Sequence, residues 1–92
     1  MPVEKLKPNG TASAKRQKEL RQFLFLLSQH TTKSGTLTAL AGEINVQKHR
    51  LSNWIKQGYV PPANAAKLLK LKGVRVDNEL IVTLEQLTPI LF

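Results

Sequence analysis

The chain has 92 residues, 41% of them hydrophobic, enough for one compact core but not for a second domain with the cleft most enzymes need. Its formal charge of +8 calls for an anionic partner, nucleic acid before an anionic membrane surface. The absence of cysteine excludes disulfides and thiolate chemistry and fits a reducing cytoplasm. The charge is uneven. Residues 1–72 carry 13 Lys and Arg against 3 Glu, whereas residues 73–92 carry one Arg against three acidic residues. No apolar run approaches membrane-spanning length and no signal-peptide core opens the chain, so a soluble cytoplasmic protein is expected.

Residues 1–12 read as a flexible basic arm, with two prolines, a glycine and two lysines in the first ten positions. Such an arm either tracks a DNA backbone or is a plain leader. A first helix is predicted from about Ser13 to Gln29, with Leu20, Phe23, Leu24 and Leu27 as its buried stripe. Lys15, Arg16, Lys18 and Arg21 crowd its start. Phe25 and Leu26 lie off the stripe, as overflow of the core or as a contact between subunits. The polar loop Thr31 to Thr36 follows, and Thr36 is placed to cap a helix beginning at Leu37.

From Leu37 to Val60 the apolar residues fit two short helices meeting at a sharp turn. Leu37, Leu40, Ala41 and Ile44 recur at helical spacing, and Val46, Leu51, Trp54 and Ile55 do so after a break. Asn45 between them tolerates the left-handed backbone that a reversal needs. The small Ala41 permits close approach of the helices. The second helix, about 47–57, presents Gln47, Lys48, His49, Ser52, Asn53 and Lys56 away from its stripe, and none is acidic. Any solvated helix face is polar, but these side chains also have the reach and groups to read base edges in a DNA major groove. Asn53 suits an adenine edge, Lys48 the guanine acceptors, and Gln47 an adenine or a phosphate. Trp54, beside Leu51 and Ile55, has core spacing rather than a base-stacking position.

Pro61 and Pro62 start a fourth helix to about Leu71, predicted to bury Ala65, Ala66, Leu68 and Leu69 with Lys67, Lys70 and Lys72 in solvent. Gly73 ends it. Residues 74–76 and 80–82 flank Asp77-Asn78-Glu79 as a small β-hairpin or an extended connection. Thr83 to Leu87 reads as a capped turn of helix limited by Pro89. Ile90, Leu91 and Phe92 either return to the core or meet a second subunit. His30 and His49 lack metal-ligand company, and Ser13, Ser28, Ser34 and Ser52 lack a nucleophile setting. No enzyme, cofactor, metal or small-molecule ligand is indicated.

The run LAGEINVQKHRLSNW followed by GYVPPANAAKLL resembles the helix-turn-helix of lambda-repressor-like proteins, most closely the small Cro-type phage and prophage regulators, the YdaS type among them. The shared features are Leu40-Ala41, the turn at Asn45-Val46, Ser52-Asn53-Trp54, and Gly58-Tyr59-Val60-Pro61. The closing VTLEQLTPILF is similar too. Asn45 departs from the glycine usual in the family, and Gln47 from its usual serine or threonine cap, which leaves the recognition helix weakly capped. The resemblance implies a mainly α fold, a helix-turn-helix bundle of four to five helices over 13–73 with a C-terminal extension over 74–92.

It also implies a sequence-specific double-stranded DNA-binding transcriptional regulator, a Cro-like repressor, in a bacterial or phage-infected cell. It would act as a homodimer on two half-sites about one helical turn, roughly 34 Å, apart. Gln47, Lys48, His49, Ser52 and Asn53 would then face bases, and Lys15, Arg16, Lys18, Thr36, Arg50 and Lys56 the DNA backbone. The acidic, apolar-rich segment is expected to dimerise through Val74, Val76, Ile81, Val82, Ile90, Leu91 and Phe92, or else to cap the chain's own core. The alternative function is a protein-interaction module, such as a prophage toxin or antitoxin component, whose basic face meets an acidic protein.

Overall fold

The computed structural model describes residues 12–89. Five helices, α1 (Ala14–Thr31), α2 (Leu37–Glu43), α3 (Lys48–Gln57), α4 (Pro62–Leu69) and α5 (Leu84–Leu87), surround one core, and a two-stranded antiparallel hairpin separates the last two. Its strands are β1 (Arg75–Val76) and β2 (Glu79–Leu80). The fold is therefore mainly helical with a small C-terminal hairpin, as the sequence leads one to expect.

The first two helix starts have a local cause. Ser13 caps α1 by accepting the Arg16 N–H at 3.1 Å, and Thr36 caps α2 by accepting the Ala39 N–H at 3.2 Å. Asn45 has φ 59°, and its left-handed backbone reverses the chain between α2 and α3 without a glycine. At the far end of α3, Gly58 with φ 89° closes the helix, its N–H bonding the carbonyls of Trp54 at 2.8 Å and Ile55 at 3.2 Å. Asp77 and Asn78 carry φ of 53° and 68° between the paired Val76 and Glu79. Two successive left-handed residues are what a tight two-residue hairpin loop requires, so the hairpin forms rather than an extended connection.

The core collects Leu20, Leu24 and Leu27 of α1, Leu40 and Ala41 of α2, and Leu51, Trp54 and Ile55 of α3. Ile44, Val60, Ala65, Leu68, Val74, Val82 and Leu87 complete it. Trp54 is thus a core residue. Four expectations need correction. The fourth helix stops at Leu69, and Ala66 is exposed, because the inward positions are Ala65 and Leu68, three apart, and Ala66 lies about 100° round the helix from Ala65. Phe23 is only half-buried at the edge of the α1 stripe. Residue 12, assigned to the arm, is buried: the Ala12 N–H donates to the Lys56 carbonyl at 2.8 Å and its carbonyl accepts from Gln17 at 2.9 Å. The rest of the arm, residues 1–11, lies outside the described residues, as do Ile90, Leu91 and Phe92.

Gly73 joins α4 to the hairpin at φ +96°, and a Cβ there would sit 2.2 Å from the His30 carbonyl oxygen. Only glycine lets this link lie against the end of α1. Val74 and Val82, 3% and 0% exposed, then anchor the hairpin into the common core, while the Ile81 N–H bonds the Val74 carbonyl at 3.0 Å.

Candidate nucleic-acid interface

Helix α3 has two chemically opposite sides. Leu51, Trp54 and Ile55 point into the core, while Lys48, His49, Arg50, Ser52, Asn53 and Lys56 are exposed. At 100° per residue, His49, Asn53 and Lys56 form a stripe opposite the core, with Ser52 and Arg50 on its flanks. Gln47, also exposed, precedes the helix as its N-cap but makes no side-chain cap hydrogen bond. The Arg50 N–H reaches the Gln47 carbonyl at 2.9 Å. The first amides of α3 thus open onto the surface among basic and amide side chains, and no acidic residue occurs from Ile44 to Val76.

Packing of α1 across α2 and α3 creates a groove of about 450 Å³ beside this surface, lined by Gln17, Arg21, Leu37, Ser52, Ile55 and Lys56. Two residues of the expected DNA surface, Ser52 and Lys56, are thereby joined to two that were not assigned to it, Gln17 and Arg21. The helical wheel could have shown that Arg21 borders the Leu20 and Leu24 stripe. Which neighbour lies on that border is decided only by tertiary packing. Leu37, next to the Thr36 cap, completes the groove. The Thr36 hydroxyl serves as the cap and also lies 3.1 Å from the Ser34 hydroxyl.

The three cations at the start of α1 do not behave alike. Lys15 and Lys18 are exposed, and neither lines the groove. Arg16 is half-buried and turned inward: its Nε donates to the Gly58 carbonyl and its Nη2 to the Gln86 carbonyl, both at 2.7 Å. These oxygens belong to the C-terminal ends of α3 and α5, where unpaired carbonyls and the helix dipole favour a cation. The guanidinium of Arg16 is thus engaged in joining three helices.

The residues expected to dimerise are also dispersed. Val74 and Val82 belong to the chain's own core, Ile81 is half-buried, and Val76 is exposed. Among the described residues, no group of three or more His, Asp or Glu could hold a metal ion, and no helix is long and apolar enough to cross a membrane. No protein-family model, curated protein or solved structure matches the chain.

Proposed function

We propose that the protein is a sequence-specific double-stranded DNA-binding transcriptional regulator, a Cro-like repressor that acts as a dimer at an operator with two half-sites. The observation that carries this reading is α3 itself: a core-anchored helix whose outward side is basic or polar with no acidic residue, and whose first turn has no side-chain cap. A helix held rigidly from behind, with its N-terminus free, has the form needed to enter a major groove. Lys48, His49, Ser52 and Asn53 are its base-reading side chains and Gln47 serves either a base or a phosphate. Lys56 and Arg50 on α3, with Arg21 across the groove and Lys15 and Lys18 on α1, supply phosphate contacts and the attractive field. By occupying a promoter the dimer would repress.

Selection of bound duplexes from a random pool, read by sequencing, tests this reading. A motif with two-fold symmetry is expected, with affinity falling steeply as salt rises. Recovery of no motif, together with weak and salt-insensitive binding, would instead favour a protein-interaction module.

A further inference from the structure

The two ends of α3 are held differently. Its start at Gln47 has no side-chain cap, whereas its last turn and its C-cap receive hydrogen bonds from residues far away in the chain. The Lys56 carbonyl accepts the Ala12 N–H at 2.8 Å, and the carbonyl of the buried Gly58 accepts from Arg16 Nε at 2.7 Å. The same guanidinium gives its Nη2 to the Gln86 carbonyl at 2.7 Å, and two residues past the cap the Val60 N–H bonds the Leu87 carbonyl at 2.8 Å. Arg16 therefore stands between the C-terminal ends of α3 and α5. A carbonyl buried at a helix end needs a donor, and here a charged one supplies it.

We infer that Arg16 is a positioning residue for DNA recognition: it fixes the direction in which α3 presents its outward side chains, and through Gln86 it makes the C-terminal extension part of the recognition unit. The inference rests on the DNA-binding reading of α3. Apolar burial is non-directional, so Leu51, Trp54 and Ile55 hold α3 on the core without by themselves fixing its tilt. Short charge-assisted hydrogen bonds are directional. Over a ten-residue helix, about 15 Å long, a tilt of roughly 5° about the Gly58 end displaces the first turn by about 1.3 Å. Hydrogen bonds to base edges do not survive such a shift, whereas lysines on flexible stems can still follow a phosphate. Loss of Arg16 should therefore damage base reading more than backbone contact.

The test titrates the full chain carrying Arg16→Met, beside the parent, against the selected duplex and a random duplex over a range of salt, with circular dichroism recording that it is folded. A loss of folded protein alone lowers both affinities by the same factor, so their ratio reports position and not stability. That ratio should fall about fivefold or more, while the slope of log affinity against log salt on the random duplex stays at the parent's value. Should Arg16→Met not fold, Arg16→Lys takes its place with the ratio expected to fall in the same direction, because one ammonium nitrogen then stands for two nitrogens bonded to separate carbonyls. An unchanged ratio in the folded variant would overturn the inference. So would an equal loss on both duplexes with a slope shallower by about one, the mark of a residue that binds a phosphate itself. A parent chain with no preference for any duplex would overturn the DNA reading itself, and the inference with it.

Discussion

The starts of α5 and α3 solve the same problem in opposite ways. Helix α5 is four residues long, yet its N-terminus is closed twice: the Gln86 N–H bonds the Thr83 hydroxyl at 3.2 Å, and the Thr83 N–H bonds the Gln86 side chain at 2.8 Å. Helix α3 is ten residues long and starts at Gln47 with no side-chain cap. A single turn of helix is marginal without caps, whereas α3 draws its stability from burying Leu51, Trp54 and Ile55 and can leave its first amides open. The start of α5 is bonded shut for the sake of the fold. That of α3 is left uncapped where we place the DNA.

The largest expected effect lies where the hairpin link meets the C-terminal end of α1. Gly73→Ala forces a side chain against the His30 carbonyl in a left-handed backbone and should cost about 3 kcal/mol in urea unfolding. Arg16→Met should cost about 1–2 kcal/mol, since it strips a cation from the carbonyls of Gly58 and Gln86, which partial exposure lets water replace. Lys15→Met, one residue away and exposed, should stay within about 0.5 kcal/mol of the parent. Equal losses for the two would dissolve the distinction between a structural and a peripheral cation.

The capping contrast gives a smaller but sharper effect. Thr83→Ala should lower stability by about 1 kcal/mol, as loss of an N-cap does. Gln47→Asp should raise it by about 0.5–1 kcal/mol, because the carboxylate supplies both the missing cap and a negative charge at the helix N-terminus. The same carboxylate should repel phosphates and weaken duplex binding. A Gln47→Asp protein that is more stable and binds DNA as well as the parent would show that the start of α3 is not at the DNA.

Much of the architecture was legible because its signals are local. The cap at Thr36, the turn at Asn45 and the capped turn at Thr83 each depend on residues within a few positions of one another. Even the uncapped start of α3 could be read from Gln47 alone. The role of Arg16 could not, since its two carbonyl partners stand 42 and 70 residues away and no pattern within α1 announces them. Likewise, Gly73 reads as the end of the fourth helix, which stops at Leu69, and nothing near it in the sequence shows that His30 leaves no room for a side chain there. Apolar content misled in one direction: Val74 and Val82 looked like surplus for a second subunit because the small four-helix core needed them in a way that only the assembled hairpin reveals. Phe25 and Val76 are the large hydrophobic residues left exposed among the described residues.

Whether α3 reads bases is decided by one comparison. A chain carrying Lys48→Ala, His49→Ala and Asn53→Ala is titrated beside the parent against the selected duplex and a random duplex, with thermal unfolding recorded for both proteins. All three residues are exposed, so the unfolding midpoints should agree. Preference for the selected duplex should fall by about 1–3 kcal/mol for each base-reading side chain removed, bringing the variant close to its affinity for random DNA. A stable variant that keeps the parent's preference would contradict the account.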